Sequence, residues 1–369
     1  MATPLSRAVA RMFMVGFPGT EPDAAFLELV DEGLFGAILF KRNVTDAEGT
    51  AELIRKVKSR ANRPFILSVD QEGGRVARMR GAPFTALPPM RQIGMSGDVA
   101  MAEKAGRLLA FEMRAVGFDW DFAPVLDVDT NPKNPVIGDR SFHREPSVVS
   151  KMGVALARGL EAGGVASCAK HFPGHGDTSQ DSHLELPHLP HEMSRLRTIE
   201  LPPFKAYADE KLASVMTAHV IFDAVDPGIP ATMSQKVLEG VLRKELGFNG
   251  VLVSDDLEMK AIADNYSVPE AAVLGTLAGV DLFLVCHHAE VQSKAIAAVV
   301  KAVESGRIPR SRIDEANQRL DALAKRFARP AEDLMATLGS AEHRKLAEGF
   351  GPSHAGADPT EVAYAKKNA

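Results

Sequence analysis

The sequence has only two cysteines in 369 residues, Cys168 and Cys286, and each lies inside an apolar run. That is the usual setting of a buried free thiol, so a disulfide framework is excluded and a reducing compartment is expected. No apolar span approaches the ~20 residues that a membrane helix needs. The start, Met1-Ala2-Thr3-Pro4-Leu5-Ser6-Arg7, does not lead from a basic stretch into an apolar one. A soluble, unexported, cytoplasmic protein without membrane association is therefore the expectation. A basic stripe is also missing, and the formal net charge is −5, so the electrostatic footprint of a nucleic-acid binder is absent. There is no internal repeat. A small neutral or polar substrate is the default partner.

What is present is ordinary globular material, 45% hydrophobic and 25% charged, enough for one large α/β domain or two smaller ones. Eight short apolar runs recur, at 11–17, 35–40, 65–69, 120–126, 165–169, 214–219, 250–254 and 281–285. Each is separated from the next by a stretch long enough for a helix, which reads as buried parallel strands in βαβ units. Eight units over about 300 residues fit a (β/α)8 TIM barrel, although a doubly wound sheet alternates in the same way. The residues just past the runs favour the barrel: Lys41-Arg42-Asn43, Asp70-Gln71-Glu72, Asp127, Lys170-His171, His219, Asp255-Asp256 and Cys286-His287. A barrel gathers all strand C-termini on one face, so these groups would share a pocket. The expected organisation is a barrel over 1–330, followed by a helix and a partly disordered surface tail over 331–369.

Lys170 to Pro187 is the densest stretch, with one Lys, three His and three acids in eighteen residues. Pro173, Gly174, Gly176 and Pro187 argue against a helix or central strand, so a functional loop is expected from Lys170 onward. Asp181 stands two residues before His183, close enough to hold one ring nitrogen and leave the other facing a substrate. Taken alone, the same pair also reads as a surface histidine beside an acid. His171, His175, Asp177, Asp181 and His183 include zinc-ligand types. Pro173 and the glycines break the helical i, i+4 geometry of a zincin, so no metal is expected. For His175 and Asp177, hydrogen bonds within the loop are the better reading. Gly73-Gly74 lacks both G-x-G-x-x-G spacing and a Walker lysine, which excludes a nucleotide loop.

Four segments carry a resemblance: Val69-Asp70-Gln71-Glu72-Gly73-Gly74-Arg75-Val76, Gly138-Asp139-Arg140-Ser141-Phe142, the Lys170 to Pro187 loop, and Ser254-Asp255-Asp256-Leu257-Glu258-Met259. In this order, from about residue 8 to about residue 330, the chain resembles glycoside hydrolase family 3. More narrowly, it is similar to the β-N-acetylglucosaminidases that recycle peptidoglycan fragments in the bacterial cytoplasm. The resemblance implies a TIM barrel acting without a cofactor, as a retaining exo-glycosidase on N-acetylglucosaminyl anhydromuramoyl peptides. It implies Asp255 as nucleophile and His183, partnered by Asp181, as acid and then base. It implies Asp70, Arg78, Arg140, Lys170 and His171 as sugar-binding residues, and a monomer is expected. Side-chain alternation along a strand turns Asp256 away from Asp255, making it a capping or supporting carboxylate. Arg75 and Arg78 otherwise read as structural partners of Glu72 or another acid near the mouth, and Asp127 and His219 as pocket-lining or buried groups. Too few residues follow the barrel for the second domain of many relatives, so the loop is the expected source of the proton-transfer group. Two other readings remain at this point: a phosphorylase, for which a histidine repels phosphate less than a carboxylate does, and a sugar-binding or metal-dependent barrel without glycosyl transfer.

Overall fold

The structure is a computed structural model, which describes residues 3–182, 184–330, 335–351, 356–359 and 362. Eight parallel strands form one sheet: β1 (Phe13–Val15), β2 (Gly36–Leu39), β3 (Ile66–Val69), β4 (Trp120–Asp121), β5 (Cys168–Phe172), β6 (Ser214–Thr217), β7 (Val251–Asp256) and β8 (Leu282–Val285). Their order is β4-β3-β2-β1-β8-β7-β6-β5. Bridges Trp120 to Ala166 and Val125 to Lys170 bring the ends together, so the sheet curls into a TIM barrel. Helices lie between successive strands, including Ala24–Glu32, Ala47–Ala61, Val99–Val116, Pro146–Ala162 and Val268–Ala278. Asp23, Asp46, Asp98 and Ser267 cap four of them by accepting from the first-turn amides, which fixes where each helix leaves its loop.

Alternation along the strands makes two layers. Met14, Ile38, Ile66, Trp120, Cys168, Met216, Val253 and Leu284 face inward and form one apolar cluster. Their neighbours Phe13, Val15, Leu39, Leu67, Val69, Val215, Leu252 and Phe283 pack outward beneath the helices in a second, as period-two side chains in a ring must. The helix Arg310–Phe327 closes the lower end by placing Leu320, Leu323 and Phe327 in the inner cluster. Buried carboxylates preceding two strands tie that end together. Asp119 binds Lys58 at 2.7 Å and Arg114 at 2.9 Å, and Asp281 binds Arg243 at 2.7 Å and Arg319 at 3.0 Å. With the bottom plugged, the strand C-termini hold the opening.

Three boundaries differ from the sequence expectation. The fourth run reaches Leu126, but its regular strand ends at Asp121, because Pro124 has no amide to give a ladder. The fifth strand extends through Phe172, so Lys170 and His171 lie in β5 and not in a loop. The seventh runs on through Asp256. Both of these longer strands carry an extra residue. Ala169 and Phe172 pair with Val215 and Thr217, and Val253 and Asp256 pair with Leu282 and Leu284. A bulge of this kind re-aims side chains at a barrel rim.

Phe327 is 3% exposed in the plug. Phe327→Ala is expected to lower unfolding free energy by about 3–5 kcal/mol through cavity formation. A denaturant titration showing less than about 1 kcal/mol would mean that the lower end is closed by other groups.

Candidate active site

Two bulged strands, β5 and β7, stand either side of β6 and both contribute to a pocket of about 1080 Å³, counting its open mouth. Lys170 stands at its floor. Its ammonium lies 2.7 Å from Asp70 and 2.6 Å from Glu72, and is 3% exposed. Arg140 meets both oxygens of Glu72 at 2.8 Å in a bidentate pair. The guanidinium of Arg78 reaches Asp70 at 3.4 Å. Asp70 and Glu72 are two residues apart just beyond β3, so period-two geometry sends both carboxylates the same way. Gln71 turns to the other side, where its carbonyl oxygen accepts from the amides of Arg78 at 2.8 Å and Met79 at 3.1 Å. Thus one extended tripeptide supplies two acids and the brace for the arginine that meets them.

The charges sustain one another. Burial works to raise Asp70 and Glu72, but the neighbouring cations outweigh it and hold both below the usual carboxylate range. Burial likewise works to lower Lys170 and Arg140, and the carboxylates hold both above their ordinary values. Asp121, beneath this group, differs: burial pushes it well above the usual carboxylate range.

His171 is held by Asp127, whose carboxylate accepts from its Nδ1 at 2.7 Å and from its amide at 3.2 Å. Nε2 is then the ring atom left for the pocket. The same carboxylate accepts from the His175 amide at 2.6 Å. Burial works to raise Asp127, and the two histidines bring it below its ordinary value. The peptide bonds Lys170–His171 and Phe172–Pro173 are cis. Beyond them the chain crosses Val128 so closely that a Cβ on Gly176 would lie 1.9 Å from the Val128 carbonyl oxygen. His175 bonds Thr178 at 2.7 Å and Ser182 at 2.8 Å, the internal bracing expected of it. Asp177 instead reaches out of the loop, to Thr130 at 2.6 Å and His191 at 2.7 Å. Ser182 lines the pocket, and its carbonyl accepts from Ala261 at 3.3 Å, which brings this part of the loop beside the end of β7. Asp181 is half-buried. His183, the expected acid/base, lies outside the described residues.

Asp255 and Asp256 both line the pocket, because the bulge in β7 breaks the alternation that was expected to separate them. Their surroundings distinguish them. The Asp256 carboxylate accepts from the amides of Glu258 at 3.1 Å and Cys286 at 3.2 Å, and meets His287 at 3.2 Å. Asp255 accepts only the Asp256 amide, at 2.8 Å, among the described residues. Asp256 is therefore a bracing carboxylate, while Asp255 has an oxygen without a partner among the described residues.

Other placements sort the remaining expectations. Of the acids open to it, Arg75 pairs with Asp139, at 2.9 Å. His219 is fully buried and bridges Thr232 at 2.8 Å to the Asp256 carbonyl at 3.0 Å. Cys168 and Cys286 are free and buried; burial pushes the Cys168 thiol up to about 12. No helix among the described residues is long and apolar enough to cross a membrane. Sequence reasoning grouped Glu72, Arg42 and His287 with the pocket as strand-end residues but gave Glu72 no site role, although the D-x-E spacing carried the signal; Lys260, which also lines the pocket, was missed, and no motif marks it.

Residues 5–323 match the glycosyl hydrolase family 3 N-terminal domain. The β-hexosaminidase of Neisseria meningitidis serogroup C is 43% identical over 266 residues, 70% of this chain and 73% of its own. The solved family 3 β-N-acetylglucosaminidase from Paenibacillus sp. superposes with a TM-score of 0.90 at 41% identity, over 95% of this chain and 68% of that one. NagZ from Neisseria gonorrhoeae, solved with N-trifluoroacetyl-D-glucosamine, gives a TM-score of 0.75 at 32% identity, over 92% of this chain and 96% of that one. The chain belongs to glycosyl hydrolase family 3. It is a glycoside hydrolase, and these relatives put it in the β-N-acetylhexosaminidase branch of that family.

The ion cluster gives a pH prediction. Carboxylates held low in the fold bind fewer protons folded than unfolded, so their stabilising contribution is present at neutral pH and lost as pH falls through the acid range. Glu72→Gln removes one of them. The decline of melting temperature between about pH 5 and pH 3 should become shallower in the variant; an unchanged slope would mean that Glu72 is not part of this linkage.

Proposed function

We propose that the protein is a retaining exo-β-N-acetylglucosaminidase that removes a terminal non-reducing N-acetylglucosamine through a glycosyl-Asp255 intermediate. The observation that carries this reading is the contrast at the end of β7: Asp256 is bound to backbone amides, and Asp255 faces the pocket with an oxygen uncommitted among the described residues. Opposite it, Asp70, Arg78, Arg140, Lys170 and His171 line the same pocket. Charged hydrogen bonds of this kind suit a hydroxyl-rich ring. In the first step Asp255 attacks the anomeric carbon as the bond to the aglycone oxygen breaks, and His183, oriented by Asp181, gives that oxygen its proton. In the second step the imidazole takes a proton from water as the water attacks the same carbon, releasing the sugar and the free carboxylate. A histidine makes both transfers near neutral pH with little shift in its pKa.

The natural substrate in this reading is an N-acetylglucosaminyl anhydromuramoyl peptide. Supporting it, Arg42, Lys260 and His287 line the mouth on the Asp255 side, where an acidic aglycone would lie. Buried free thiols support a cytoplasmic location; in this reading the enzyme acts as a monomer. Residues 1–330 then form the catalytic barrel, with 331–369 as its extension.

The test is hydrolysis of 4-nitrophenyl N-acetyl-β-glucosaminide beside the matching glucoside, each with and without chelator and phosphate. Selective, chelator-resistant release with free N-acetylglucosamine as product is expected. A sugar 1-phosphate formed only with phosphate present would make the enzyme a phosphorylase, and binding without turnover would make it a lectin-like barrel. On the aryl substrate, Asp255→Ala should lose at least ~10³-fold in turnover. His183→Ala should retain rapid glycosylation and lose ~10²–10⁴-fold in the second step. Equal losses in both steps would abolish that division of roles. Asp181→Asn should slow turnover with KM nearly unchanged; a change confined to KM would make Asp181 a sugar contact.

A further inference from the structure

Arg78 has two acidic partners from opposite ends of the chain. One amino group faces Asp70 at 3.4 Å. The other is ion-paired to Asp358, across a sequence separation of 280 residues. The Arg78 side chain is 1% exposed and that of Asp358 is 11% exposed, so this is a buried pair and not a surface contact. The chain is led there by a docked extension. Leu338, Ala347 and Phe350 are buried, His343 sets its edge against Phe111 at 4.8 Å, and Gln92 holds the Phe350 carbonyl. Asp358 itself begins a turn, its carbonyl accepting from the Val362 amide at 3.0 Å. The tail expected to be a partly disordered surface segment thus carries a residue into the machinery of the pocket.

Charge balance shows what that residue does. Among the described residues, Lys170, Arg140 and Arg78 meet Asp70, Glu72 and Asp358, three cations against three anions. Without Asp358 the group holds an excess positive charge in a largely buried setting, which is costly. The nearest anion able to compensate is Asp70. Arg78 would then close its 3.4 Å gap and engage the oxygen of Asp70 that Lys170 does not hold. That oxygen is the one available to accept sugar hydroxyls.

We propose that Asp358 is a positioning residue of the sugar-binding pocket: by pairing with Arg78 it holds the guanidinium off Asp70, and so makes the C-terminal segment a working part of substrate recognition. This rests on the reading of Asp70 and Arg78 as sugar contacts. The experiment compares wild type, Asp358→Asn, Asp358→Glu, a chain ending at Gly351, and Arg78→Ala. Each is assayed for hydrolysis of 4-nitrophenyl N-acetyl-β-glucosaminide and, by calorimetry, for binding of N-acetylglucosamine. The expected result is a rise of about tenfold or more in KM and Kd for Asp358→Asn and the truncated chain, as for loss of a charge-assisted hydrogen bond. kcat should fall less, and Asp358→Glu should recover most of the loss. Values within about twofold of wild type for Asp358→Asn and the truncated chain, with Arg78→Ala impaired, would overturn the proposal and leave the functional reading intact. Faster hydrolysis without Asp358 would also overturn it, since the segment would then obstruct the pocket. If Arg78→Ala matches wild type, the sugar-contact reading fails and the proposal with it. Sugar binding without turnover in the wild type would count against the proposed reaction alone, the binding arm still deciding the role of Asp358.

Discussion

A buried ammonium sets the terms for the open end of this barrel. Lys170 is removed from water between Asp70 and Glu72 at 2.7 and 2.6 Å, and such a charge survives burial only when it is paired and hydrogen-bonded. Satisfying it ties β5 to the segment after β3, and Glu72, needing a second cation, draws in Arg140 from the segment after β4. Removing any one member leaves another buried charge uncompensated, a larger loss than the net worth of the pair. The arrangement therefore serves position more than stability. The polar groups that line the pocket are held in place by one another, so a ligand meeting them would find them already organised.

The frame and the pocket were legible in the sequence to different degrees. Eight apolar runs separated by helical stretches indicate the barrel, because burial on both faces leaves parallel strands almost continuously hydrophobic. The polar residues that end those runs indicate the pocket, because parallel strands share one C-terminal face. The bulges in β5 and β7 were not legible. A single residue inserted into a ladder leaves no mark in composition, yet it puts Lys170 and His171 inside a strand and lets Asp255 and Asp256 reach the same pocket. Asp358 was not legible either, since nothing local distinguishes an acid in a polar tail from one that crosses the molecule to Arg78. Pairings over hundreds of residues are set by tertiary packing and not by pattern.

The loop after β5 shows how a glycine-rich segment becomes a defined part of a site. Its near end is fastened by Asp127 to the amides of His171 and His175 and by the passage of Gly176 across Val128. Asp177 fastens the next turn to Thr130 and His191. A sequence of glycines and a proline suggests freedom, but these contacts spend it. Further along, Ser182 meets His175 and Ala261, so the described part of the loop is fastened beyond Thr178 as well.

The same economy explains why two adjacent aspartates do not compete. Two like charges sharing a pocket repel, so each needs its own partners. Backbone amides and His287 surround the Asp256 carboxylate, while His219 fixes its carbonyl from behind. The bulge creates the crowding, and the amides of Glu258 and Cys286 resolve it for Asp256 by holding its carboxylate in place.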